Sequence, residues 1–425
     1  MNSLKKYDEY YYQKLDNVAI MYASISTAKN PNVYRISARL KENIDKDVLY
    51  QALENTLELV PSFNVRLKKG FFWYYFEKNN LKPKVSEDNR YPCNRVDAYS
   101  NNHYLFKTTY FEKRINLDVS HTLADGTGTI SFLQTLIVNY LKIKNKISKE
   151  VITQVETLSK NEMSSDSFQR YCNYVDKKDD KKLNIGYKIR GVRLYESEIN
   201  VVTGTLKVED LKKIVKEHHT NITTLIMAKY IMSLYNENYK YRKVNKTIRI
   251  CVPVNLRSFF ESTSMNNFFI PVNIGIDFYK KDWEFSELLK EIDKQIKEQV
   301  EKENLAKRFK SMVGFEINPI ARGIPLFLKN YAIRLGYFVG NSVVTSTVSN
   351  LGSINLLEEI RPYVDRFDVI LGPDNSQPVK LAMCSTNDNL SITISSCITD
   401  TEIARNFFTN LGTKVNISSN QGEGI

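Results

Sequence analysis

The chain has 425 residues, enough for about two to three domains. A hydrophobic content of 42% and a charged content of 25% are those of a globular protein with large cores, which excludes a disordered or fibrous chain. The net charge of +12 favours anionic partners, but Lys and Arg are interleaved with Asp and Glu, and the densest run, Asp176-Lys177-Lys178-Asp179-Asp180-Lys181-Lys182, is mixed in sign; without a basic stripe or motif, nucleic acid is not expected as a partner.

In chain order, the pattern predicts a strand over 33–40, then a helix opened by Asp45 with Val48, Leu49, Ala52, Leu53, Leu57 and Val60 on one face and Pro61 after its end. A hairpin follows, with strands at Phe63–Leu67 and Phe71–Phe76 around a turn at Lys68-Lys69-Gly70. A second hairpin pairs Tyr104–Tyr110 with Ile115–Ser120, and His121 stands where its second strand ends. A helix begins near Gly126 and buries Ile130, Leu133, Leu136, Ile137, Tyr140 and Leu141. Residues 143–186 are polar and charged and read as a crossover between halves.

The second half opens with a strand at Glu196–Leu206, helices near 208–218 and 222–236, and strands at Thr247–Val254 and Phe268–Phe278. Helices fill roughly 284–310. Strands return at Ser342–Ser349, at Phe367–Leu371, and as a hairpin of Lys380–Ser385 with Leu390–Cys397; Thr399-Asp400 caps a last helix to about Leu411. The reading is two α/β lobes of similar size, each around its own sheet: 1–185, with the polar crossover from about 143, and 186–412, followed by a mobile tail over 413–425. Five Cys, an odd count without metal spacing, suit reduced thiols in the cytoplasm, and no secretory leader, transmembrane span or metal site is expected.

Four histidines narrow the chemistry. His218 and His219 end a charged helix, where a cation suits the dipole, and His103 lies in a polar turn. His121 sits between a strand and a tight turn into a helix, a rigid setting that faces a loop region. It reads either as a positioned base or as a buried imidazole satisfied by a carbonyl. Asp125 is a good N-cap for the following helix, and equally a carboxylate that ties down the loop. Gly126 is a turn residue, or it keeps the approach to His121 open. A Ser-His-Asp hydrolase would need a Gly-x-Ser-x-Gly elbow, which the sequence lacks.

The segment His121-Thr122-Leu123-Ala124-Asp125-Gly126 resembles the His-x-x-x-Asp-Gly motif of the coenzyme A-dependent acyltransferase superfamily. That superfamily includes chloramphenicol acetyltransferase, the plant BAHD enzymes, condensation domains of nonribosomal peptide synthetases, and alcohol acetyltransferases. Three distant elements fit in the expected order. The Phe63–Phe76 hairpin, with Gly70-Phe71-Phe72-Trp73-Tyr74, resembles that of bacterial alcohol acetyltransferase-like proteins. Pro253-Val254-Asn255-Leu256-Arg257 resembles a Pro-Val-x-Leu-Arg element, and Thr347-Val348-Ser349-Asn350-Leu351-Gly352 a Ser-Asn-x-Gly strand end beside the channel. Two departures stand out. Ser120 replaces the first of the two histidines many relatives carry, and the Asp-Phe-Gly-Trp-Gly motif of the plant branch is absent.

The resemblance implies two chloramphenicol-acetyltransferase-like lobes, each a mixed sheet flanked by helices, with the active-site channel between them. It implies an acyltransferase of the alcohol O-acetyltransferase kind, and the chain is expected to be a monomer. His121 is then the general base, Asp125, Gly126 and Arg257 shape the loop, and Thr347, Ser349 and Asn350 are oxyanion candidates beside the bland reading of a polar strand end. Asp125 is expected to pair with Arg257 through two hydrogen bonds rather than to touch substrate. Acetyl-coenzyme A or another acyl-coenzyme A is the expected co-substrate, with an alcohol or amine acceptor and no permanent cofactor. Activity is expected to fall as pH drops through about 6.5. The alternatives are condensation on carrier-bound substrates and a catalytically silent binding protein of the same fold.

Overall fold

The computed structural model describes residues 12–28, 30–89, 91–171, 183–242, 244–317 and 322–420. In its first half, β1 (Tyr12–Lys14) and α1 (Asn17–Ile25) precede β2 (Val33–Leu40) and α2 (Lys46–Leu59). Strands β3 (Val65–Lys69), β4 (Tyr74–Lys78), β5 (Val85–Glu87), β6 (Phe106–Phe111) and β7 (Arg114–Ser120) follow, and then α3 (Gly126–Ile143). The crossover holds the short helices α4 (Lys160–Met163) and α5 (Ser167–Tyr171); Cys172 and the run 176–182 lie outside the described residues.

The second half runs β8 (Asn200–Lys207), α6 (Val208–Glu217), α7 (Ile222–Leu234), β9 (Ile248–Asn255) and β10 (Phe269–Ile276). Helices α8 (Phe285–Val300), α9 (Lys302–Ile317) and α10 (Leu326–Ser342) come next. The chain closes with β11 (Ser346–Ile354), β12 (Val364–Leu371), β13 (Val379–Thr386), β14 (Asn389–Ser396), α11 (Glu402–Thr409) and β15 (Asn416–Ser419).

Two large sheets result. One has the order β12-β2-β7-β6-β5, and the other the order β10-β9-β11-β13-β14-β8-β15. A small third sheet, β1-β4-β3, carries the first hairpin. Each large sheet has its own apolar core. Strands β2 and β7 with α2 and α3 build the first, and α7, α8, β9, β10, β13 and β14 dominate the second. Helix α3 shows why such a face forms. Phe132, Leu133, Leu136, Ile137 and Leu141 recur at helical spacing and are all buried, each contributing roughly 1.5–3 kcal/mol.

Four features depart from the sequence reading. Strand β12 belongs to the C-terminal half but pairs antiparallel with β2, so the first sheet is completed by late sequence and the halves do not each keep a sheet to themselves. The expected mobile tail contains β15, which pairs with the open edge of β8. Asn420 fixes it further: its backbone N–H donates to Val201 O and its side-chain oxygen accepts from Val201 N. An edge strand offers unpaired backbone groups, and this short segment satisfies them; residues 421–425 lie outside the described residues. In the first hairpin, the strand begins at Tyr74 rather than Phe71, and Phe71-Phe72-Trp73 form the turn, closed by Gly70 N–H to Trp73 O. Helix α10 fills a stretch where no element was expected.

Candidate functional site

Strand β7 delivers His121. Its register on β2 pairs Ser120 with Val33, and the His121 backbone N–H then donates to Asn32 O at 3.0 Å. That register is pinned by a buried ion network two residues before the strand end. Arg35 on β2 reaches Asp118 on β7 at 2.6 Å and Asp88 at 2.6 Å, with both carboxylates nearly inaccessible. A one-residue slip would break these bonds and turn every side chain over.

The imidazole lies in an aromatic cage. Tyr22 of α1 stacks on it at 4.8 Å between centroids, Tyr34 of β2 packs at 4.4 Å, and Phe269 of β10 closes at 5.9 Å. Tyr34 is itself held, donating to Ala124 O at 3.0 Å and sharing a 2.6 Å bond with the Thr129 hydroxyl. His121 Nδ1 is buried without a hydrogen-bond partner, while the residue as a whole is only partly buried. The open edge of the ring is therefore the one that carries Nε2. Burial lowers the imidazole pKa to about 4, with Lys380 acting in the same direction and Asp125 and Asn267 opposing. The ring is neutral at physiological pH, as a proton acceptor must be.

Asn267 was not singled out in the sequence. Its Nδ2 donates to Asp16 Oδ2 at 3.1 Å and to His121 O at 3.1 Å, and its backbone N–H donates to Asp16 Oδ2 at 3.2 Å. Two acceptors on the amide nitrogen fix which way the amide points. Its Oδ1 is then left buried without a partner, as is Nδ1 of the neighbouring ring. Asp16 caps α1 through Ala19 N at 2.7 Å, and burial raises its carboxyl to about 7. The helix that carries Tyr22 is thus tied through Asp16 and Asn267 to the main chain of His121. An Asn between Asn266 and Phe268 gave no pattern by which to find it.

Asp125 makes both of the bonds that the sequence offered as separate readings. Its Oδ1 accepts from Gly128 N at 3.0 Å, which caps α3. Its Oδ2 accepts from Arg257 Nη1 at 2.7 Å and from Phe268 N at 2.8 Å. The expected two-bond grip of the guanidinium is absent. Arg257 gives one nitrogen to Asp125 and spreads the rest, Nη2 to Asn266 O at 2.6 Å and to Ser264 O at 2.8 Å. The arginine thereby folds the 264–266 turn of the second half against the loop of the first.

Gly126 has a different reason from an open approach. A Cβ there would meet the Leu351 side chain of β11 at 2.8 Å, so the glycine admits the second sheet. Gly128, which the sequence reading passed over, is tighter: a Cβ would stand 2.2 Å from Met265 O.

On β11, side chains alternate between faces. Ser346 bonds Tyr230 of α7, Val348 lies in the helix-side core, and Asn350 Nδ2 donates to Thr223 Oγ1 of α7 at 2.9 Å. Asn350 therefore faces the helices. Thr347, Ser349 and Leu351 share the opposite face, where Leu351 packs on Gly126. The Thr347 hydroxyl donates to Gln377 Oε1 at 2.6 Å and is committed. The Ser349 side chain makes no hydrogen bond among the described residues, unlike those of Thr347 and Asn350.

No protein-family model matches the chain, and no curated protein matches it in sequence. Solved structures do match over nearly the whole length. A Fusarium graminearum TRI101 structure with coenzyme A and deoxynivalenol superposes with a TM-score of 0.63 at 10% identity, covering 96% of this chain and 100% of that one. Polyketide synthase associated protein 5 from Mycobacterium tuberculosis gives 0.60 at 14%, covering 94% and 97%. The wax ester synthase/diacylglycerol acyltransferase of Marinobacter aquaeolei VT8 gives 0.52 at 10%, covering 94% and 98%. The chain has the two-lobed mixed α/β fold shared by these proteins and by condensation domains such as that of rhizomide synthetase.

Proposed function

We propose that this chain, which has the two-lobed fold of the coenzyme A-dependent acyltransferases, moves an acyl group from coenzyme A to a hydroxyl acceptor, with His121 as general base. The observation that carries the reading is the caged, neutral imidazole whose Nδ1 is sealed and whose opposite edge is open. In the proposed reaction Nε2 takes the acceptor's proton as its oxygen attacks the thioester carbonyl carbon. The tetrahedral oxyanion collapses, the C–S bond breaks, and the imidazolium returns the proton to the departing thiolate. A base of this kind contributes roughly 10²–10⁴ in rate. Of the three oxyanion candidates Ser349 is the proposed donor, because the Thr347 and Asn350 side chains are engaged elsewhere. Acetyl is the simplest acyl group for this scheme, and an amine acceptor would follow the same course.

The test is release of free thiol on mixing the protein with acetyl- and longer acyl-coenzyme A and a panel of alcohols and amines. Acceptor-dependent thiol release is expected. Coenzyme A binding without release under any pairing would leave a binding protein of this fold and end the proposal.

The pH dependence follows from the buried ring. Its neutral, proton-accepting form predominates above about 4, so kcat/KM should hold as pH falls through about 6.5 and drop only near pH 4. A limb at about 6.5, with chemistry shown to limit the rate, would mean that the ring is hydrated in the working enzyme.

A further inference from the structure

Helix α10 has two unlike faces. Toward the protein, Leu326, Lys329 and Asn330 are buried. Lys329 Nζ sits 3.4 Å from the centre of the Trp73 ring and donates to Phe72 O, Asn330 donates to the Tyr74 hydroxyl, and Leu326 N donates to Phe71 O. The helix is thus fastened to the tip of the β3–β4 hairpin. Arg334 Nε donates to Ser24 O of α1, the helix whose Tyr22 stacks on His121. Away from the protein, Phe327 (64% exposed), Tyr331 (73%), Leu335 (56%) and Phe338 (73%) stand at spacings of four, four and three residues, which is one stripe. Phe71 (71%) at the hairpin tip extends the patch beside Phe72. Large aromatic side chains clustered in water mark an interaction surface.

The charges around this patch select its partner. No Asp or Glu occurs between Glu316 and Glu358, nor from Lys68 to Phe76, whereas Lys69, Arg322 and Arg334 are exposed cations. An isologous contact with a second copy would set these like charges against one another. Aromatic and aliphatic side chains flanked by these cations match an anionic lipid surface, where rings enter the headgroup boundary and cations meet phosphate. Among the described residues no helix is long and apolar enough to span a bilayer, so the contact is peripheral.

We propose that α10 and the β3–β4 hairpin tip dock this protein onto an anionic lipid bilayer, on the side of the molecule where α1 carries the cage of His121. The docking does not depend on the acyltransferase reading, because its test reads binding and not turnover. The full chain is mixed with vesicles of phosphatidylcholine, with or without phosphatidylglycerol, and sedimented. Sedimentation with the anionic vesicles and much less with the neutral ones is expected. The triple variant Phe327→Ser, Tyr331→Ser, Phe338→Ser should bind at least about tenfold more weakly, since three exposed aromatics supply most of the inserted surface. Its circular dichroism and unfolding midpoint should match the wild type. A Lys69→Gln, Arg322→Gln variant should lose the preference for phosphatidylglycerol. The proposal fails if the wild type ignores both vesicles, binds them equally, or if the triple variant binds undiminished. A concentration-dependent dimer abolished by the triple variant would also overturn it, by assigning the patch to a second copy.

Discussion

His121→Ala is expected to lower kcat/KM for thiol release by about two to four decades, the range for loss of a positioned general base. The site explains why nothing nearby should replace it. Tyr22 and Tyr34 are the neighbouring rings with ionisable groups, and burial raises both phenol pKa values, so both stay protonated and neither can accept a proton. His218 and His219 lie at the end of α6 and His103 in a turn, none of them in the cage. The fold should persist, because the substitution removes a ring whose Nδ1 is already unsatisfied and whose packing is shared by three aromatic neighbours. Circular dichroism on the purified variant separates loss of the base from loss of the fold. A folded variant with wild-type rates would sink the assignment of His121 as the base.

The strand-loop-helix setting of His121 was legible because its signals are local. Alternation over 115–120 marks β7, Asp125 marks a cap, and the apolar spacing from Phe132 to Leu141 marks α3. Helix α10 was not legible for the opposite reason. Its exposed side carries Phe327, Tyr331 and Phe338 while Lys329 and Asn330 are buried, so the usual amphipathic pattern is reversed. Strand β12 has an ordinary strand pattern, but no local signal says which sheet it joins. That depends on the free edge of β2, more than three hundred residues earlier in the chain. The same limit hid Asn267. Its role arises where β10 begins, α1 starts and β7 ends, three places that only the fold brings together. The face of β11 was likewise open until Leu351 was found against Gly126 and Asn350 against α7.

Asp125→Asn is expected to destabilise the protein by about 3–5 kcal/mol, the cost of leaving a buried charge without its partner. The Asp125 and Arg257 side chains are only 7% and 11% exposed, so solvent cannot take over the lost bond. A helix-capping role alone would predict almost no change, because Asn caps about as well as Asp. The geometry separates the two. Asn can keep an oxygen toward Gly128 N, but its nitrogen then replaces Oδ2, where Arg257 Nη1 and Phe268 N both donate. Three donors would converge with no acceptor among them. Arg257→Gln should cost a comparable amount, since it also strips Ser264 O and Asn266 O of their donor and loosens the turn that leads to Asn267. Activity should fall with stability in both variants, because the 121–125 loop is what sets the ring in its cage. In a double-mutant cycle read by unfolding and by thiol release, the double variant should lose clearly less than the sum of the single losses. Additive losses would mean that the 2.7 Å contact carries no coupling, and that Asp125 acts through the Gly128 and Phe268 backbone alone.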